Sequence, residues 1–486
     1  MHDNQSQGWR NWVRSLLTGW QRPTTHPVDA RGEGAESLIG FVVAAALVGV
    51  LTGISAASFR ILLEYAARLR TGLSAWAHGS WWGVIVVVLV CTAAITTAAA
   101  LVRRVEPHAE GSGIPRVEAI ADGRIKPDRF RILPVKYVGG LLAIGGGLAL
   151  GREGPSVQMG GTAAVIVATL TRRNLPDLRV LVAGGAAAGL ATAFNAPIAG
   201  GVFVLEELVK RFDPRTTVAT LVASASGFAA AHLLVPSQDE FKMSALADPR
   251  LIESGWVFAI GVVTGALGVL YNKAVMFGLR RADASRWPKE VRAALTGLLI
   301  GLLVWAAPDL VGSGNNLTQS ALLGHGTLAA VTGVLILRFV VGVVSYAAAT
   351  PGGLFAPMLV LGADAGLIIG LVAKYLSPHT APSLAACALI GMAAFFAATV
   401  HAPVTGLILA TEMTGNTNQL SPMLGACAIA MLVAIALRSE SIYDQLTERA
   451  AHKAQRTANN SDPAPERSLR VTQQFSEGPC SKKCSS

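Results

Sequence analysis

Between about residue 37 and residue 438, long apolar runs alternate with short polar breaks near 103–136, 172–179, 210–215, 239–253 and 280–292. One run, from Tyr375 to Thr411, holds no Asp, Glu, Lys or Arg at all. Runs of this length predict membrane-spanning helices, and the absence of ten-residue alternating segments excludes a transmembrane barrel. The expected class is an all-α polytopic membrane protein. Two runs are too broken for one clean span each: 180–205 contains Asn195 and Pro197, and 339–363 contains Pro351, Gly352, Gly353 and Pro357. Irregular backbone at membrane depth is tolerated only where it faces protein or a water-filled cavity, so discontinuous helices mark where a solute binds.

The same order of elements occurs twice. Residues 196–208 read APIAGGVFVLEEL and residues 402–414 read APVTGLILATEMT, with Gly200 in step with Gly406 and Glu206 with Glu412. Upstream stand GREGP at 151–155 and GLFAP at 353–357, at nearly the same offset. This predicts a duplicated membrane unit at 37–445, with halves of about 37–215 and 254–440. Whether the halves are parallel or inverted depends on the number of crossings in each. Residues 1–36 carry no cleavable signal. Trp9, Trp12, Leu16 and Trp20 recur at helical spacing, so 8–20 is either an interfacial helix or an irregular tail. Residues 446–486 are polar and expected to be a disordered tail with no regulatory domain.

Composition sharpens the picture. Of 486 residues only 14% are charged and 52% are hydrophobic, which no ordinary soluble chain shows. The 51 glycines suit helices that approach closely in lipid. The net charge of +10 is scattered between apolar segments, which argues against nucleic-acid binding and for a positive-inside bias. Its densest cluster, Arg280, Arg281, Arg286, Lys289 and Arg292, is expected in the cytoplasm. Cys91, Cys387 and Cys427 sit in apolar segments as small hydrophobes. Cys480 and Cys484 have no histidine after them, so no metal and no cofactor is expected. With no H-E-x-x-H, no G-x-S-x-G and no P-loop, an intramembrane enzyme is disfavoured.

Ionisable groups in apolar sequence are then informative, because each costs at least ~2.5–3.5 kcal/mol at membrane depth. Arg152 and Glu153 interrupt a glycine-rich run, Glu206 and Glu207 end the first copy of the repeat, and Asp364 and Glu412 lie in the second. For Glu206, Asp364, Arg338 and Glu412 the structural reading, a paired charge or a helix end in water, is favoured. In GREGPS the glycines allow a turn and Pro155 suits a first helical turn, so 152–155 should open a helix. Helix starts present free N–H groups and partial positive charge, which makes them anion sites. GSGIP at 111–115 and GGLFAP at 352–357 repeat the logic. Three such ends together hold an anion without a full positive charge that would bind it too tightly to release.

In these motifs, GSGIPR at 111–116, GREGPS at 151–156, GGLFAP at 352–357 and the two Ala-Pro segments, the chain resembles the CLC family of chloride channels and chloride/proton antiporters. The resemblance covers about residues 37–445. It implies two inverted repeats and a homodimer with an anion pathway in each subunit; the compact chain and short tail suggest a multi-pass protein of the bacterial inner membrane, expected with both termini cytoplasmic. It also implies roles. Glu153 corresponds to the gating glutamate and Glu207 to the inner proton-transfer glutamate. Ser112 and Tyr443 correspond to hydroxyl donors to the central anion, together with the amides of Leu354 and Phe355. Amides around Arg152, Gly154 and Ala356 serve the outer site. Serine at 112 resembles chloride-selective members, whereas nitrate-accumulating ones carry proline there. The expected function is chloride/proton exchange; a passive chloride channel on the same fold is the rival.

Overall fold

The computed structural model describes residues 35–127, 130–235 and 240–461, which form helices with no strands among the described residues. The proposed interfacial helix at 8–20 and Cys480 and Cys484 lie outside them. Eight helices make the first half: α1 (Ala35–Ala77), α2 (Gly83–Arg104), α3 (Ile114–Ala121), α4 (Ile132–Gly145), α5 (Glu153–Leu170), α6 (Leu175–Phe194), α7 (Pro197–Phe203) and α8 (Pro214–Ala231). The second half repeats them in order. It consists of α9 (Ser254–Ala284), α10 (Lys289–Ala306), α11 (Asn315–Leu322), α12 (Leu328–Tyr346), α13 (Phe355–Leu376), α14 (Leu384–Val400), α15 (Pro403–Thr414) and α16 (Leu420–Ala436). Because α8 is the counterpart of α16, the first half runs to Ala231 rather than ending near 215. A last helix, α17 (Ile442–Ser461), continues into residues expected to be tail. Thr447 donates to Glu118 and Arg449 to Asp283, and these contacts pin it.

The two halves pack alike. In each, the first helix lies against the sixth and eighth, and the fifth against the sixth. The last of these contacts is made through glycine: a methyl group on Gly160 or Gly185 would strike the other's carbonyl, and Gly362 and Gly391 repeat the arrangement between α13 and α14. Bare backbones allow close van der Waals contact where no hydrophobic force separates helix from lipid. Where the halves meet, equivalent elements run antiparallel. Gly297 and Gly301 of α10 approach Thr92 and Val88 of α2 in reverse order, and Gly151 pairs antiparallel with Gly353. The repeats are therefore inverted.

Among the described residues, six helices are long and apolar enough to cross a membrane. Two of these, α6 and α13, are 89% and 83% buried inside the protein, against 28% for α2 and α12. The central helices are thus shielded from lipid by an outer ring. One end of the bundle gathers the charged loops, with Lys289 bound to Glu110, Arg103 to Glu290 and Lys453 to Asp283. We refer to it as the basic face.

Candidate functional site

The loop before α3 sets the first wall. Gly111 and Gly113 adopt φ of +70° and +82°, which a side chain would strain, so Ser112 is held between two left-handed glycines. Underneath, Lys136 Nζ donates to the carbonyls of Ala109 (3.1 Å) and Gly111 (2.7 Å). A second such loop, missed in the sequence reading, precedes α11. There Gly312 and Gly314 adopt +74° and +89°, and Arg338, the repeat counterpart of Lys136, donates to Gly312 O and Ser313 O, both at 2.9 Å. A buried cation whose terminal nitrogens donate to backbone carbonyls holds a turn in place, which agrees with the structural reading of Arg338.

The second and third walls are the starts of α5 and α13, and they are joined. Gly151 N–H donates to Gly353 O and Gly353 N–H to Gly151 O, both at 2.8 Å. Gly111 N–H donates to Thr350 O (3.1 Å), and Gly352 N–H returns a bond to Gly111 O (3.0 Å). Gly154 lies so close to Ser112 that a Cβ on it would stand 2.8 Å from the serine Cα. The three glycine-proline corners thus meet in one place, with Ser112, Gly154, Leu354, Phe355 and Ala356 all buried around it.

Glu153 is the first residue of α5 and 2% exposed. Its carboxylate folds back onto Gly151, where the Ala356 Cβ also approaches, and so lies beside the backbone of Ala356 at the start of α13. Oε2 has no hydrogen-bond partner among the described residues. A negative oxygen therefore rests where two helix starts converge, the position their dipoles favour for an anion. Arg152, by contrast, sends its guanidinium away: Nε donates to Ala193 O (3.0 Å) and Nη2 to Glu240 (2.5 Å). Of Arg152 only the backbone belongs to the junction.

On the other side stands an aromatic wall absent from the sequence reading. The Phe355 ring lies 4.9 Å from Phe396, 5.2 Å from Phe203, 5.4 Å from Phe194 and 6.0 Å from Tyr443. Tyr443 is 1% exposed, its Oη has no partner among the described residues, and it lies within electrostatic range of both Glu153 and Glu207. A buried hydroxyl left unpaired costs about 1–3 kcal/mol.

Glu207 lies in a π-helical turn, Val204–Leu208, that extends α7. A π turn is a local distortion of the kind found at functional sites, and the two adjacent acids in this one take different partners. Glu206 turns to the start of α15, where it accepts from Val404 N–H (3.1 Å) and Thr405 N–H (2.7 Å). Glu207, 5% exposed, turns inward and accepts a short hydrogen bond from Ser441, whose Oγ in turn takes the N–H of Tyr443 (3.3 Å). Ser441 thus ties the inner acid to the tyrosine-bearing helix. The repeat counterparts of Glu153 and Glu207 are Phe355 and Met413, so both inward-facing acids come from one half. Among the described residues no three His, Cys, Asp or Glu side chains gather as a metal site.

The arrangement offers dipoles and hydroxyls to an anion, and two buried carboxylates to a proton. Comparison with known proteins agrees. The profile of the family described as "Voltage gated chloride channel" matches residues 93–435. The chain is 33% identical to the H(+)/Cl(-) exchange transporter ClcA of Vibrio parahaemolyticus, over 90% of this chain and 95% of that one. It is 36% identical to its namesake in Vibrio cholerae, over 83% and 88%. The crystal structure of a slow cyanobacterial Cl-/H+ antiporter superposes with a TM-score of 0.82 at 29% identity, covering 85% of this chain and 98% of that one. With its inverted halves, its three joined helix starts and this extended likeness, the chain belongs to the CLC family of chloride channels and transporters.

Proposed function

We propose that this protein exchanges chloride for protons across a bacterial inner membrane, with Glu153 as the gate and Glu207 as the inner proton-transfer group. The observation that carries the reading is the Glu153 carboxylate folded back over Gly151, beside Ala356, at the junction of two helix starts. An anion arriving there has to displace it, and a displaced carboxylate picks up a proton more readily because the donors that favoured its charged form are gone. Anion and proton are coupled because they compete for one position. Ser112 and Tyr443 supply hydroxyl donors to the central anion, with the amides of Leu354 and Phe355. The amides of Arg152, Gly154 and Ala356 serve the outer position. Donors without full charge bind a halide firmly enough to enter and weakly enough to leave. The relatives named as H(+)/Cl(-) exchange transporters support exchange over passive conduction.

The basic face, with the cluster at 280–292 and the start of α17, faces the cytoplasm by the positive-inside rule, and the termini with it. The protein works as a homodimer, each subunit with its own pathway. The deciding experiment is purified protein in liposomes with chloride and proton fluxes recorded together. Coupled, opposed movement with uphill proton pumping by a chloride gradient is expected. A reversal potential indifferent to a pH gradient would make it a channel.

A further inference from the structure

Glu240 plays no part in the exchange scheme above, yet its side chain has three polar partners, Arg60, Arg152 and Asn315. It stands in the connection between the halves, with its side chain 5% exposed. Oε1 accepts from Arg152 Nη2 (2.5 Å) and from Asn315 Nδ2 (3.0 Å), and Oε2 lies 3.1 Å from Arg60 Nη1 without the alignment of a hydrogen bond. One carboxylate therefore links α1, the start of α5 and the start of α11, and so spans both halves. The connection that carries it is itself fastened, Phe241 N–H to Met413 O (2.9 Å) and Leu246 N–H to Asn416 Oδ1 (3.0 Å).

Arg152 explains why such a clamp is needed. Its guanidinium is buried and turned toward Glu240, yet it belongs to the residue that precedes Glu153 and stays within electrostatic range of that carboxylate. A buried cation deprived of its partner is strongly unfavourable, so it captures whatever carboxylate it can reach. We infer that Glu240 is a positioning residue that keeps the Arg152 guanidinium off the Glu153 carboxylate, leaving that carboxylate free to alternate with the anion at the helix starts. The inference rests on the assignment of Glu153 as the exchanging group. It concerns Glu240 alone.

Losing the clamp has a distinctive consequence. With Glu240 neutral, Arg152 pairs with Glu153 and draws it from its place beside Ala356, which slows exchange while leaving the helix starts to the anion. Glu240→Gln should therefore lower turnover in liposomes on the order of tenfold, the factor that one unit of charge-pair preference commands. Chloride binding measured by calorimetry should tighten in the same variant. Glu240→Asp, which keeps the charge and most of the fold, should fall between the two proteins. Arg152→Gln added to Glu240→Gln should restore turnover, because the side chain at 152 is then neutral and Arg60 keeps Glu64 as its partner (3.2 Å). In a Glu153→Gln background, Glu240→Gln should change nothing. If turnover and chloride affinity fall together, or if Arg152→Gln rescues nothing, Glu240 is a structural tie and the inference is overturned. If instead the Glu153→Gln protein still pumps protons uphill, the Glu153 assignment itself fails.

Discussion

Glu206 and Glu412 cap each other's helices. Glu206, at the end of the α7 segment, accepts from the first N–H groups of α15. Glu412, near the end of α15, accepts from Ile198 N–H (3.0 Å) and Ala199 N–H (2.6 Å) at the start of α7. The exchange fixes the two helices antiparallel and explains why two acids sit in the repeats without belonging to the anion pathway. Replacing either by Ala should cost about 1–2 kcal/mol, the range for a carboxylate cap at a partly buried helix start. Unfolding in detergent would read this. The proton-to-chloride ratio of Glu206→Gln should stay that of the unaltered protein, which separates it from its neighbour Glu207.

Glu153→Gln should carry chloride but no protons. The amide retains the side chain's size and loses its ability to cycle a proton. Paired recordings from liposomes test this.

Glu207→Ala should also uncouple protons from chloride, while chloride still moves. Ser441→Ala should alter the proton-to-chloride ratio in the same direction but less, and Ser441→Thr, which keeps the hydroxyl, should recover it. A ratio unmoved by Ser441→Ala would reduce that serine to a cap on α17.

Gly160→Ala should be poorly tolerated. Its added methyl meets the carbonyl of Gly185 on a helix that is itself packed on all sides. Overpacking of this kind costs about 1–3 kcal/mol or more. Gly391→Ala, at the equivalent contact in the second half, should behave alike. Yield of monodisperse protein and its unfolding temperature are the measurements.

The helix starts were readable from the chain because glycine and proline state backbone geometry locally. GREGP and GLFAP each begin a helix where their spacing predicts one. The loop at Gly312–Gly314 copies GSG 201 positions after the first, but it lacks the following proline that marks the others, and so it passes as an ordinary turn. Glu240 and Ser441 were not legible. Their meaning lies in partners 88 and 234 positions away, and no local pattern encodes such a contact. The aromatic wall is hidden for a related reason: Phe194, Phe203 and Phe396 look like any core residues until the fold stacks them around Phe355. Register between halves explains the boundary at Ala231, since α8 carries little that resembles α16 except its place.

The Gly151–Gly353 pair makes the centre of this molecule a near-palindrome, the same turn met by its own reverse. A scaffold of that kind reads the same from either side of the bilayer and by itself gives transport no sense of forward or back. On the assignment proposed above, its two faces are made unlike by acid against aromatic at 153 and 355, by acid against thioether at 207 and 413, and by Tyr443 on α17, a helix without a counterpart. Duplication supplied the cradle, and the departures from symmetry make its two faces unlike, while the gradients decide which way exchange runs.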